Sequence, residues 1–199
     1  MNSKILRSKN KKANSSVKIL AFVGLAGSGK STAAAYLKEK GYPSVHFGGV
    51  VLKALKDAGL EITTENEKKM RLELREKYGK DVIVNRIVEQ IQHLIDAGQK
   101  RIIADGLYTW TEYKILKKHF PKELKLVALV PPKSLRHKRI ASRPNRGMTL
   151  AEVNDRDHNE IELLEKGGPI AIADYFLTNQ SGMLRLKMKI DKVLREIGF

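Results

Sequence analysis

An α/β fold, a parallel five-stranded sheet with helices on both faces, is what this sequence predicts, on three observations. Short, continuously apolar runs alternate with longer stretches of helical periodicity throughout residues 17–199. Helices separate the apolar runs, which is the connection that parallel strands need. The loop after the first run spaces Gly24, Gly29, Lys30 and Ser31 as G-x-x-x-x-G-K-S, a pattern that belongs between a strand and a helix.

Taken in order, "VKILAFV" (17–23) is a buried strand, and residues 30–40 form a helix closed by Gly41. "PSVHF" (43–47) is a second short strand, followed by a helix over 49–58 that stops at Gly59. Thr64 and Glu67 make a capping-box pattern, opening a helix whose Met70, Leu74 and Tyr78 line one face down to Gly79. Residues 81–97 are a further helix, ending at Gly98. Ile102, Ile103 and Ala104 form the third strand, with Asp105 at its carboxyl end, and residues 111–119 the next helix. "LKLVALV" (124–130) is stopped by Pro131 and Pro132, and Ser134 can cap a helix carrying Arg136, Arg139 and Arg143. Thr149 and Glu152 form a second capping box, opening a helix that runs to Lys166. "ADYFLTN" (173–179) is the last strand, and an amphipathic helix over Met183–Ile197 closes the chain.

The chain of 199 residues suits one domain, and no run of eighteen apolar residues exists to span a bilayer. The absence of cysteine excludes disulfide frameworks, zinc ribbons and thiol catalysis, and fits a cytoplasmic setting. Of the formal charge of +16, five units lie in residues 1–16, which contain no acid, leaving about +11 on the body. That tail has too little apolar content for a signal peptide and reads as disordered, either a solubilising extension or an RNA-touching arm. The basic body attracts phosphorylated ligands as well as nucleic acid.

Phosphate oxygens need several donors at once, and glycines let consecutive backbone N–H groups turn inward with no Cβ in the way. Gly24, Ala26, Gly27, Ser28 and Gly29 supply such a cradle, and Lys30, Ser31 and Thr32 open the helix behind it. The positive helix end faces the anion, Lys30 reaches β- and γ-phosphates, and the Ser31 hydroxyl ligates Mg²⁺. Hydrolytic ATPases usually follow the strand-borne Asp with Glu to activate water, whereas Asp105 is followed by Gly106. No guanine-reading N-K-x-D motif occurs either; "TNQSG" (178–182) is not one. Transfer of a phosphoryl group to a bound acceptor fits better, because it works by positioning and charge stabilisation.

Arg139 and Arg143, four apart, share a helix face, and Arg146 follows on a loop before the helix with Arg156. Such a cluster can close over the γ-phosphate as a lid spanning about 139–156. The competing reading is a solvated basic face, with Arg156 paired to Glu160 at i+4. Asp105, ending a buried strand beside the loop, can hold Mg²⁺ through water or orient an acceptor. His46 sits at a strand end near the site, as a structural histidine or a general base; Tyr108 and Trp110 line an acceptor pocket or pack in the core.

The chain resembles the P-loop nucleoside-phosphate kinase superfamily, and within it the dephospho-CoA kinase-like and adenylate kinase-like proteins of bacteria and archaea. The resemblance covers nearly everything after the tail. It is carried by "GLAGSGKST" (24–32), "HFGGVVLKAL" (46–55), "ELREKYG" (73–79), "IIADGLYTWTEYKIL" (102–116), "RIASRPNR" (139–146), "RDHNEIELLEKGGPIAIADY" (156–175) and "TNQSG". It implies a three-layer fold with sheet order 2-3-1-4-5, a short lid, and an acceptor-binding helical region at about 48–80. ATP and Mg²⁺ are the implied cofactors. It also implies that Arg139 stacks near adenine, that Arg143 binds the transferring phosphate, that 179–182, with Asn179 and Gly182, lie beside the base, and that His46, Gly48, Arg75, Tyr108 and Arg156 face the acceptor. Adenylate-type kinases tend to carry Gly-Asp and an arginine after strand two and D-G-F-P-R after strand three. Here Gly48-Gly49 with Lys53 and Asp105-Gly106-Leu107-Tyr108 stand in those places, and the Asp pair of true dephospho-CoA kinases is missing.

The expectation is a kinase acting on a nucleoside monophosphate or dephospho-CoA, with oligomeric state open. A nucleic-acid factor such as a polynucleotide-end kinase, and an ATP-binding module without turnover, are the alternatives. The aromatic share of 6% argues against a stacking platform for single strands.

Overall fold

Residues 17–144 and 147–199 are described by the structure, a computed structural model; the tail 1–16 and Arg146, with the expectations attached to them, lie outside the described residues. In β1 (Lys18–Val23) every residue after Lys18 is buried, because both faces of the sheet are covered. Ile19, Ala21 and Val23 point to one side and Leu20 and Phe22 to the other, each side feeding its own apolar cluster.

The sheet contains β2 (Ser44–His46), β3 (Arg101–Asp105), β4 (Leu124–Leu129) and β5 (Tyr175–Leu177) besides β1, in the order β2-β3-β1-β4-β5. All pairings are parallel, with Ile19 opposite Ile102 on one side and Leu124 on the other. One face is covered by α2 (Phe47–Asp57), α3 (Thr64–Tyr78), α4 (Val82–Asp96) and α5 (Trp110–His119). The other is covered by α1 (Lys30–Glu39) and α9 (Met183–Ile197), through Ala33, Leu37, Leu186, Ile190 and Val193. Between them, α6 (Lys133–Ala141), α7 (Leu150–Glu162) and the short α8 (Gly167–Ala171) gather over the carboxyl ends of the strands. Ile140 of α6 and Val153 of α7 pack on Ala26 of the loop.

Several boundaries differ from the sequence-based expectations for identifiable reasons. The cap of α3 is Thr63, whose hydroxyl accepts from the Asn66 N–H at 3.1 Å, one residue ahead of the expected Thr64 box. Met70 and Leu74 are buried, but Tyr78 is 53% exposed and lies under Lys77 and Arg86 instead of joining that face. Ser134 does not cap α6; Pro132 holds the N-cap position and makes no side-chain bond there. The helix ends at Ala141, since Pro144 disfavours helical backbone at Arg143, and so Arg139 and Arg143 do not share a helix face. The Thr149–Glu152 capping box forms, but α7 ends at Glu162 and the chain passes through Glu165, at φ 49°, before α8. The last strand is trimmed to Tyr175–Leu177 because the Asp174 side chain, not the backbone, accepts the Leu126 N–H at 2.8 Å. No helix among the described residues is long and apolar enough to cross a membrane.

Candidate active site

The loop between β1 and α1 is built by three glycines in left-handed backbone: Gly24 at φ +145°, Gly27 at +75° and Gly29 at +103°. A Cβ at Gly24 would stand 2.6 Å from the Leu129 carbonyl oxygen, and one at Gly27 2.6 Å from that of Arg136. At Gly29 it would run into the Asn179 side chain. Three consecutive carbonyls of this loop are tied from outside. Arg136 Nη1 donates to Ala26 O at 3.0 Å, Arg139 Nη1 to Gly27 O at 3.5 Å, and Asn179 Nδ2 to Ser28 O at 3.0 Å. Arg139 Nη2 also donates to Asn179 O at 2.8 Å, joining two of these outer residues.

Lys30 folds back over the loop, its ammonium donating to Gly24 O at 2.6 Å and Leu25 O at 3.1 Å. Burial, and next the nearby Lys166 charge, pull its pKa down to about 8, with Glu160 opposing the shift. Lys166 Nζ lies 4.4 Å above the centre of the Tyr108 ring, and Lys30 Nζ 5.9 Å from it. Glu160, 4% exposed, is the anion among these cations: it accepts from Lys166 Nζ at 2.8 Å, Arg156 Nε at 3.2 Å and the loop's own Ala26 N–H at 2.9 Å. Burial alone would raise the Glu160 carboxyl, but Lys166, the Ala26 N–H and Arg156 bring it below its usual value. For Lys166 burial wins, and its pKa falls despite Glu160.

Behind the loop, Arg136 grips Asp157 with two bonds of 2.8 and 2.7 Å, and His137 Nε2 stands 3.0 Å from Asp157 Oδ2. All three side chains are buried. This network fastens α6 to α7 and, through Arg136, both to the loop.

In front of the loop opens a cleft of about 1240 Å³, lined by Gly27, Gly29, Lys30, Ser31 and Thr32 on one side. Lys68, Arg71 and Arg75 of α3 form a second wall, and Arg139, Arg143, Met148 and Arg156 a third. The Arg75 Nε is buried with no hydrogen-bond partner.

Of the residues singled out from sequence, Ala26, Gly27, Gly29, Lys30, Ser31, Thr32, Gly48, Arg75, Tyr108, Arg139, Arg143 and Arg156 meet in this cleft. Gly24 and the buried Ser28 shape the loop from beneath, and the buried Asn179 holds its backbone. Gly182 stands apart, as the N-cap of α9. His46 is exposed and its ring lies against Gly48, where a Cβ would come within 2.9 Å of Cε1; the side chain is not part of the cleft lining. Asp105 accepts from Lys38 Nζ at 2.7 Å, which turns its carboxylate to the outer end of α1 rather than into the cleft. Trp110 stacks on Tyr113 at 5.2 Å and covers Gly168, outside the lining. Sequence reasoning missed Arg136, His137, Asp157, Lys166 and the loop contact of Glu160. The one available signal was the spacing of Val153, Asp157 and Glu160, which sets them on one face of α7. Among the described residues no group of three or more His, Cys, Asp or Glu is placed to hold a metal ion; a cation bound through Ser31, phosphate oxygens and water needs no such group.

A parallel sheet in the order 2-3-1-4-5, with a phosphate-binding loop after its central strand, is the P-loop kinase fold. Solved structures share it at identities that speak for fold alone. TT1252 from Thermus thermophilus superposes with a TM-score of 0.60 at 19% identity, covering 90% of this chain and 97% of that one. The dephospho-CoA kinase from Campylobacter jejuni gives 0.56 at 20%, covering 90% and 96%. Residues 20–180 match the family described as AAA domain. The UPF0200 protein of Thermococcus kodakarensis is 30% identical over 182 residues, covering 90% of this chain and 97% of its own length. The chain belongs to the AAA domain family and to the UPF0200 proteins.

Proposed function

We propose that this chain is a Mg·ATP-dependent kinase that transfers the γ-phosphoryl group to a small, anionic, nucleotide-like acceptor of the nucleoside monophosphate or dephospho-CoA class. One observation carries the reading: the phosphate loop and the cationic row Lys68, Arg71 and Arg75 face the same cleft, so one anion can sit at each. Those three cations have no carboxylate within ion-pairing distance among the described residues, and the Arg75 Nε lacks any partner, so an incoming anion meets them unneutralised.

Glycine at 24 and 27 lets the loop close on the Leu129 and Arg136 carbonyls, which a Cβ would strike, and keeps the left-handed turn in which backbone N–H groups can converge on polyphosphate. Mg²⁺ would be held on the protein side by the Ser31 hydroxyl and would supply charge neutralisation to the phosphates. Lys30 reaches the same phosphates once it leaves the Gly24 and Leu25 carbonyls. Arg139, with Asn179 behind the loop, belongs to the nucleoside side, and Arg143 and Arg156 to a lid over the cleft. Gly48 and Arg75, within the region 48–80, and Tyr108, on the loop after β3, face the acceptor. Asp105 joins the reaction only if its ion pair with Lys38 opens. A cytoplasmic setting accords with the cysteine-free composition.

The basic cleft also suits a nucleic-acid end, so the test carries both arms. Purified protein with Mg·ATP is offered nucleoside monophosphates, dephospho-CoA, nucleosides and a 5′-hydroxyl oligonucleotide, and products are identified. The expected outcome is phosphorylation of a small anionic acceptor, lost in Lys30→Ala. Phosphorylation of the oligonucleotide alone would establish the polynucleotide-end reading instead, and ATP binding with no product from any acceptor would refute the kinase reading.

A further inference from the structure

Four groups that face the phosphate site, Lys30, the Ala26 N–H, Lys166 and Arg156, are satisfied by protein groups of the opposite kind. Lys30, the cation, sits on loop carbonyls. The Ala26 N–H, a donor in the phosphate cradle, is taken by a carboxylate 134 residues away. That carboxylate, Glu160, is also what occupies Lys166 and Arg156. A backbone N–H of the cradle, a lysine ammonium and an arginine Nε within 3.2 Å of one carboxylate form the donor set expected around a phosphoryl group. On the kinase reading the set falls at the γ end of the site. Lys166 and Lys30 approach the same Tyr108 ring, and Lys30 is the residue that reaches β- and γ-phosphates.

We propose that Glu160 is an internal anion standing in the γ-phosphoryl subsite, and that it is displaced when triphosphate arrives, releasing Lys166 and Arg156 to the transferring group; this rests on the kinase reading of the cleft. The physical necessity is charge. A phosphoryl group carrying about two negative charges cannot share three donors with a fully ionised carboxylate without strong repulsion. With these donors on it the Glu160 carboxyl stands below its usual value, so an arriving phosphoryl group meets it as an anion. Diphosphate ends before this subsite and leaves Glu160 in place. The displacement therefore makes Glu160 a specificity-determining residue, setting how far the cleft prefers a triphosphate to a diphosphate. Its place on α7, in the last turn before the break at Glu165, lets it leave with the C-terminal end of that helix while Asp157, one turn earlier, stays on Arg136.

The test measures binding by calorimetry, with Mg·ADP and the Mg²⁺ complex of the non-hydrolysable β,γ-imido analogue of ATP as probes. Glu160→Gln keeps the shape and removes the charge. It should bind the analogue about tenfold more tightly, the size of one charged hydrogen bond no longer displaced, and Mg·ADP within about twofold of the native protein. Lys166→Gln should do the reverse, weakening the analogue about tenfold and leaving Mg·ADP within about twofold. A Glu160→Gln protein with unchanged affinities, or with both shifted equally, would overturn the proposal and make Glu160 a prop for the loop, leaving the kinase reading intact. Should Glu160→Gln fail to fold, Lys166→Gln decides alone, and an equal loss for both nucleotides overturns the proposal. Native protein that binds neither nucleotide would bring down the nucleotide site and this inference together.

Discussion

If Lys30 meets phosphate as proposed, raising the pH should titrate that interaction directly. The Lys30 pKa of about 8 means that the free cleft loses this charge within reach of ordinary buffers, whereas a lysine at its usual value stays charged well beyond. Bound phosphates hold the proton on Lys30, so a complex formed at high pH must take one up from solvent. The sign follows: affinity is full well below the free-state pKa and declines as pH rises through it. At pH 8 about half the free protein carries the charge and affinity for Mg·ADP falls about twofold; at pH 9 about one molecule in eleven does, and the fall is about tenfold. Diphosphate is the cleaner probe, because Lys166 is also lowered and steepens the profile for triphosphate. Calorimetry between pH 7 and 9, in two buffers of different ionisation enthalpy, reads both the affinity and the proton taken up. The phosphate groups are already ionised across this range, and Lys30→Met, weak throughout, should show neither slope nor uptake. A native affinity constant over these two units with no proton uptake would refute the account of Lys30 as a half-buried cation crowded by Lys166.

Two further outcomes are expected. Asp157→Ala leaves the buried Arg136 guanidinium without its carboxylate and should cost about 3 kcal/mol or more in stability, read by urea unfolding; a loss under about 1 kcal/mol would mean the network is not structural. Arg143→Ala should lower turnover by about a thousandfold with little change in ATP affinity, while Arg185→Ala, an exposed arginine on α9, should leave both unchanged. Equal losses in the two arginine variants would reduce the effect to general basicity.

What the sequence made legible was local chemistry. The helix over Met183–Ile197 forms as its amphipathic periodicity indicates, and the G-x-x-x-x-G-K-S spacing identifies the loop without reference to the rest of the chain. Errors arose where a distant side chain replaced a local pattern. Asp174 accepts an N–H from β4 and trims the last strand, and Asp105 finds Lys38 on a helix 67 residues earlier. Glu160 illustrates the limit most clearly: its i+4 relation to Arg156 is readable, but its bond to Ala26 exists only once the sheet has brought α7 over the loop.

The three outer bonds on the Ala26, Gly27 and Ser28 carbonyls determine when the ordering cost of phosphate recognition falls due. Fixing the backbone of one residue costs about 1–2 kcal/mol, so three loop residues held before any ligand arrives spare the binding step roughly 3–6 kcal/mol at most. That cost is met during folding, from the core and from the Arg136–Asp157 pair. On the proposed kinase reading, Arg136, Arg139 and Asn179 would therefore act on nucleotide affinity through the backbone they immobilise. Loosening any of them should make binding more exothermic and entropically poorer, since a loop free to move must be arrested by the nucleotide instead.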